Sequence, residues 1–91
     1  MTTTLAILTL ASWYHSPFTG LTCATRDYPI GARLLVTDTH NHLSVVVTVR
    51  ERGPALWVIK KHGVRIDLSE RAFEQLEGKQ IGLAQVRVKQ L

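Results

Sequence analysis

Cysteine is almost absent from the chain: Cys23 is the only one among 91 residues, so no disulfide can form within it. The fold must therefore rest on a hydrophobic core, and a single domain of this length buries roughly two thirds of its unfolded surface. We predict one domain spanning residues 1–91 and a monomer. Cys23 lies in a strand-like stretch, where a lone cysteine is more often a small buried apolar side chain than a nucleophile.

Long apolar runs and early basic residues are also missing. No stretch approaches the roughly 20 apolar residues that a membrane-spanning helix needs. The apolar run over residues 5–11 has no Lys or Arg before it, since the first basic residue is Arg26, so it lacks the charged start of a signal peptide. We interpret this run as a buried strand. We expect an export signal, if there is one, to have been removed, or export to follow another route.

Acidic residues are the scarcer charge, with 7 Asp and Glu against 11 Lys and Arg, which gives a formal net charge of +4. A basic balance favours an anionic partner such as nucleic acid or an acidic cell-wall polymer. The basic residues are scattered, however, and do not alternate with aromatic residues as they do in proteins that bind single-stranded nucleic acid. A nucleic-acid-binding barrel is therefore only a remote alternative.

Apolar alternation and turn residues predict an all-β domain with one short helix. The helix begins at Ser69 as N-cap, has apolar residues at Ala72, Phe73 and Leu76, and ends at Gly78. Residues 55–63 read as irregular, and three consecutive valines at 45–47 suggest a strand buried on both faces. Short strands with Gly and Pro turns in a small domain favour a barrel. The predicted strands cover residues 2–14, 21–25, 33–37, 43–50, 64–68 and 84–89.

Five motifs in order carry a family resemblance: ASWY (11–14), PIGARLLVTD (29–38), SVVVTVRERGP (44–54), RIDLSERAFEQL (65–76) and GLAQVRV (82–88). Together they resemble the double-psi β-barrel domain of rare lipoprotein A, a septal lytic transglycosylase family related to expansins. The resemblance implies a six-stranded double-psi β-barrel with a groove across one face. It also implies cleavage of peptidoglycan glycan strands and a location in the cell envelope or outside the cell.

The resemblance assigns candidate residues one by one. The acid of the family motif D-R-G-P falls on Glu51, and the Asp of I-D-L-S falls on Asp67. The family's His after L-T-A-A falls on Thr25, and the Gly after A-S-W-Y is His15 here. The family's groove-lining Gly-Glu pair has no counterpart.

The two acids have functional and structural readings that the sequence leaves open. Glu51 lies between Arg50 and Arg52 in VTVRERGP, and it is either a surface ion-pair partner or the acid that protonates a leaving glycosidic oxygen. Strand alternation allows both arginines to point away from Glu51, and Arg52 is a candidate groove residue. Asp67 lies two residues before the helix cap Ser69. It is either a structural acid that accepts hydrogen bonds from loop amides or a functional acid that faces Glu51 across the groove.

Aromatic and histidine residues complete the candidate site. Trp13 and Tyr14 are adjacent on a strand, so one points inward and the other can stack on a sugar ring. Trp57 either stacks on a sugar or packs over the barrel end, and His15 is the histidine expected near the groove. The histidines show no metal-ligand spacing, and His40 to His42 read as turn residues, so we predict no metal and no cofactor.

The sequence is compatible with three classes of function. The first is a peptidoglycan lytic transglycosylase that uses Glu51 and Asp67. The second is a non-catalytic, expansin-like polysaccharide-binding module, which the Thr25 replacement favours. The nucleic-acid-binding barrel is the third and most remote.

Overall fold

The structure is a computed structural model that describes residues 5–91, so residues 2–4 of the predicted first strand lie outside it. The described residues form a closed barrel, as predicted, with the strands in the order β1-β5-β2-β4-β3-β6. Two short α-helices and a 3₁₀ turn over Lys79–Ile81 lie outside the barrel. The elements are β1 Ile7–Tyr14, β2 Thr22–Thr25, β3 Arg33–Asp38, β4 Ser44–Glu51, α1 Leu56–His62, β5 Val64–Ser69, α2 Glu70–Glu74 and β6 Ala84–Gln90.

Strand pairing around the barrel mixes two directions. β1 pairs with β5 and β2 pairs with β4 in parallel, whereas the other four neighbouring pairs are antiparallel. Parallel partners need a connection that crosses over, and α1 lies within the connection from β4 to β5. The ends of β4 and β2 therefore lie side by side, close to β5, which positions the functional site described below.

Alternate side chains of the longer strands fill the core of the barrel. Val45, Val47 and Val49 of β4 are buried, whereas Val46 on the other face is only half-buried. The prediction of burial on both faces of β4 is thus wrong, because nothing packs fully over the outer face of this strand. Phe73 is fully buried and Leu76 nearly so, and both join the core cluster, which confirms the prediction that this helical segment packs on the barrel.

The helical regions correct two predictions. Residues 55–63 are not irregular, because residues 56–62 form α1, which ends at Gly63 with a left-handed φ of 71°. The sequence of α1 carries no helix signal because this helix has no fully buried residue and no side-chain N-cap. Ser69 caps α2 as predicted, accepting a hydrogen bond from the Ala72 amide, but α2 ends at Glu74 rather than at Gly78.

None of the helices in residues 5–91 is long and apolar enough to cross a membrane.

Candidate functional site

Four neighbouring strands contribute to one outer face of the barrel, and three of them present polar side chains there. Ser12 and Tyr14 come from β1, Asp67 from β5, Ala24 from β2 and Glu51 from β4, and these strands are consecutive in the order β1-β5-β2-β4. Ser12 is the register partner of Asp67, and Ala24 is the register partner of both Asp67 and Glu51. Because register partners share a face of a sheet, these five residues form one surface, here called the carboxylate face.

Ala24 separates the two acids on this face. Neighbouring strands are about 4.8 Å apart, so the backbones of Glu51 and Asp67 are about 9.5 Å apart across β2. Ala24 is only 5% exposed, and a Cβ added to Gly53 would lie 3.7 Å from the Ala24 Cβ, so the loop after β4 covers this position closely. A small, apolar and covered residue thus lies between the two carboxylates.

A bulge in β4 explains why Glu51 faces outward. Cys23 pairs with Val49, but the next residue, Ala24, pairs with Glu51, so Arg50 is the extra residue on β4. Val49 points into the core, and regular alternation would have sent Glu51 inward as well. The extra residue reverses the alternation and places the carboxylate on the outer face.

Glu51 is held by a tyrosine and not by the arginines beside it. The Tyr14 hydroxyl donates a hydrogen bond of 2.5 Å to Glu51 Oε1. Within residues 5–91 Glu51 forms no ion pair. The Arg50 guanidinium lies 5.5 Å from the Phe18 ring centroid, and Arg52 donates to the backbone carbonyls at the end of β2 and in the loop after it. The reading of Glu51 as an ion-pair partner of Arg50 or Arg52 is therefore wrong.

Burial raises the pKa values of two groups on this face, Asp67 and Tyr14. Burial raises the pKa of Asp67, and the hydrogen bond that the Ser12 hydroxyl donates to Asp67 Oδ1 opposes part of that rise. Burial and the Glu51 carboxylate raise the pKa of Tyr14 to about 12, so this phenol stays neutral and keeps donating. Asp67 therefore holds a proton more readily than a solvated carboxyl does.

Asp67→Asn should stabilise the protein near neutral pH and not in acid. A carboxyl whose pKa is raised by folding leaves stability unaffected below its unfolded pKa of about 3.9, and stability falls as pH rises through its folded pKa. Asparagine cannot ionise, so the variant escapes this loss. Urea unfolding midpoints at about pH 3 and about pH 7 measure the effect.

Glu74→Gln on α2 is the control for this comparison, because Glu74 lies outside the carboxylate face. A higher midpoint for Asp67→Asn at the neutral pH alone is expected. An equal midpoint for wild type and Asp67→Asn at both pH values would show that Asp67 is not desolvated.

A cleft of about 330 Å³ adjoins this face at the end of β1. Its lining includes His15, Ser16, Ser69 and Glu70, and Ser69 is the register partner of Tyr14. His15 Nδ1 lies 2.6 Å from Glu70 Oε2, while its side chain is 81% exposed. The carboxylate face thus continues past Tyr14 into a polar cleft that contains His15.

The remaining predicted site residues lie elsewhere or have structural partners. Trp13 points to the opposite face of β1 from Tyr14, packs against the core, and donates from its indole nitrogen to the Lys79 carbonyl at 3.1 Å. Trp57 is 63% exposed on α1, with its ring centroid 6.2 Å from that of His62. Arg52 Nη1 donates to the Thr25 and Tyr28 carbonyls, so it fastens the loop after β2.

Thr25 does not join the carboxylate face. Its side chain is 2% exposed, its hydroxyl donates to the Arg65 carbonyl at 3.1 Å, and it accepts from the Asp27 amide at 3.2 Å. Its register partner is the core residue Ile66, which points inward. Thr25 therefore offers no free polar atom to a sugar, contrary to its prediction as a substrate-binding residue.

Sequence reasoning missed Ser12, which contacts Asp67 directly. The signal was present, because Ser12 is two residues before Tyr14 in ASWY, and residues i and i+2 of a strand share a face. Cys23 behaves as predicted: it is fully buried, and burial raises the pKa of its thiol to about 12.

Comparison with known proteins points to one family. A family model described as lytic transglycolase matches residues 10–88. The endolytic peptidoglycan transglycosylase RlpA of Haemophilus influenzae is 34% identical, with the alignment covering 90% of this chain and 31% of that protein. The protein of the same name from Neisseria meningitidis serogroup A is 35% identical over 89% of this chain and 37% of its own length. The chain thus spans about a third of these relatives.

Solved structures share the barrel. An expansin from Clavibacter michiganensis superposes with a TM-score of 0.75 at 18% identity, covering 96% of this chain and 50% of the expansin. A mutant of that expansin in complex with cellohexaose gives the same TM-score at 17% identity. At these identities the likeness establishes the fold.

Proposed function

The chain belongs to the lytic transglycolase family of double-psi β-barrel domains, and we propose that it cleaves the glycan strands of peptidoglycan without using water. The observation that carries the proposal is the pair of acids, Glu51 and Asp67, on one outer face with Ala24 between them. The sequence reading gave the proton-transfer role first to Glu51. We assign that role to Asp67 instead, because burial raises its pKa and the Ser12 hydroxyl donates a hydrogen bond to its carboxyl group.

The proposed reaction needs one group that acts first as acid and then as base. Asp67, protonated, gives its proton to the glycosidic oxygen as the bond from that oxygen to the anomeric carbon breaks. The resulting carboxylate then takes the proton of a hydroxyl on the same sugar, and the oxygen of that hydroxyl bonds to the anomeric carbon. The products are a shortened strand with a free hydroxyl and an anhydro-sugar end. The Ser12 hydroxyl donates a hydrogen bond to Asp67 Oδ1 and so holds the carboxyl group in one orientation for both steps.

Glu51 and Tyr14 act together in this proposal. Cleavage of a glycosidic bond passes through a transition state with positive charge on the sugar ring. The Glu51 carboxylate, on the other side of Ala24 from Asp67, stabilises that positive charge. The hydrogen bond from the Tyr14 hydroxyl orients the Glu51 carboxylate.

The partner and the location follow from the same proposal. The net charge of +4 suits a polymer with carboxylates on its peptide stems, and the cleft beside His15 extends the surface available to a strand. Peptidoglycan lies outside the cytoplasmic membrane, so we place the site of action in the cell envelope or outside the cell.

A polysaccharide-binding module that does not cut is the second candidate. Thr25 favours it, because Thr25 occupies the position of a family histidine and its side chain is buried with both hydrogen bonds made internally. The expansin that shares the fold was crystallised with cellohexaose, an oligosaccharide.

Digestion of purified peptidoglycan separates the two candidates. The 91-residue chain is incubated with intact sacculi and with glycan strands stripped of stem peptides, and the soluble products are identified by mass spectrometry. Anhydro-sugar ends are expected. If the protein binds glycan strands but releases no products, the binding module is supported. If the products carry ordinary reducing ends, the reaction is hydrolysis and not the proposed one.

A further inference from the structure

The carboxylate of Asp38 is buried without a complete set of partners. Asp38 is the last residue of β3 and is 0% exposed. Its Oδ1 accepts hydrogen bonds from the His40 amide at 2.7 Å and the Asn41 amide at 3.2 Å. Its Oδ2 is buried and has no hydrogen-bond partner among residues 5–91. A buried carboxylate oxygen without a partner is costly, so this atom needs a proton or a cation.

Two further ligand-type groups lie beside the Asp38 carboxylate. One ligand atom each from Asp38, His40 and Glu77 can be chosen so that all lie within 4.8 Å of one another. His40 Nδ1 lies 3.7 Å from Glu77 Oε2. Within the described part of the chain no Lys or Arg pairs with Asp38 or Glu77. Asp38 and Glu77 are thus two carboxyl groups crowded together.

The backbone holds these groups in place from two directions. The hairpin between β3 and β4 is closed by the His42 amide, which donates to the Asp38 carbonyl at 2.9 Å. Asn41 Nδ2 in this hairpin donates to the Leu76 carbonyl at 2.7 Å, next to Glu77. The Glu77 amide in turn donates to the Phe73 carbonyl at 3.0 Å, so the hairpin and the segment after α2 are fastened to each other at the cluster.

We propose that Asp38, His40 and Glu77 bind a divalent transition-metal ion, with Zn²⁺ the best match. One imidazole and two carboxylates suit zinc, whose ligands lie about 2 Å from the metal and thus about 3.3 Å from one another in a tetrahedron. The 3.7 Å between His40 Nδ1 and Glu77 Oε2 is close to that spacing. Water would take the fourth position.

The proposed metal site is separate from the carboxylate face. Asp38 pairs with Val86 of β6, on the side of the barrel opposite to β5 and β2 in the strand order. The metal would join the β3–β4 hairpin to the segment after α2 and supply the cation that Asp38 Oδ2 needs. Its role is structural and does not depend on the glycan chemistry proposed above.

Sequence spacing gave no hint of this site, because Glu77 is 37 residues after His40 and only the closed barrel brings them together.

Calorimetric titration of the metal-free chain with Zn²⁺ tests the proposal, with thermal unfolding as a second readout. We expect one equivalent to bind and the melting temperature to rise with zinc concentration, since an ion that binds only the folded chain stabilises it. His40→Gln and Glu77→Gln should each weaken binding at least about 10-fold, as loss of one ligand does. Substituting Co²⁺ should give visible absorption bands that His40→Gln alters.

His42→Gln is the matched control, because His42 lies in the same hairpin but outside the cluster. Its zinc affinity should equal that of the wild type. Asp38→Asn is avoided as the main variant, since it changes a fully buried residue. Unchanged zinc binding in both His40→Gln and Glu77→Gln would overturn the proposal, as would absence of binding at millimolar zinc. In the latter case a proton shared with Glu77 satisfies Asp38 Oδ2.

Discussion

Asp67→Asn should lower the release of anhydro-sugar products by about 10²–10⁴-fold, the usual contribution of a general acid–base group. Asparagine keeps the size of the side chain and its acceptor for the Ser12 hydroxyl, but it cannot give up and regain a proton. The affinity for glycan strands should stay near that of the wild type, because only the proton transfer is lost. The rate of product release, followed by mass spectrometry, and strand binding by co-sedimentation with sacculi measure the two effects.

Glu74→Gln is the matched control for this experiment. It removes an acid from α2 outside the carboxylate face, so both cleavage and binding should be unchanged. Cleavage by Asp67→Asn at the wild-type rate would contradict the assignment of the proton to Asp67. A loss of cleavage together with a lower unfolding midpoint at neutral pH would instead indicate damage to the fold.

Glu51→Gln should lower cleavage by roughly 10²-fold or more, because the positive charge of the transition state loses the carboxylate that favours it. Glu51→Asp should keep part of the activity, since the related family motif carries the shorter acid at this position. Tyr14→Phe should have a smaller effect, because the carboxylate remains and only its 2.5 Å hydrogen bond is removed. Single-turnover rates on stripped glycan strands give the order of the three variants.

The outcome that would contradict this role is specific. If Glu51→Gln cleaves as fast as the wild type and changes stability by only about 0–1 kcal/mol, Glu51 is a surface residue without a part in catalysis. Thr25→His is not expected to restore activity to any variant. Its side chain would have to enter a site that is 2% exposed and beside the core residue Ile66, away from the carboxylate face.

The sequence alone was enough to predict the barrel and much of the carboxylate face. Alternating apolar residues mark strands because successive side chains of a strand point to opposite faces, and the Ser69 cap marks α2 through a hydrogen bond local in sequence. Tyr14 and Trp13 were expected to point in opposite directions for the same reason, and they do. Helix α1 was missed because it has no fully buried face, so its apolar residues carry no helical pattern.

Only the tertiary structure decided which groups meet. Regular alternation from Val49 would have put Glu51 inside the barrel, and the extra residue Arg50 turned it outward, because a bulge depends on the partner strand and not on local sequence. Closure of the barrel placed Asp67 across Ala24 from Glu51, and it brought Glu77 to Asp38 and His40. Local sequence determines the direction of a side chain through backbone geometry, whereas its neighbours are set by strand register and barrel closure over long separations in the chain.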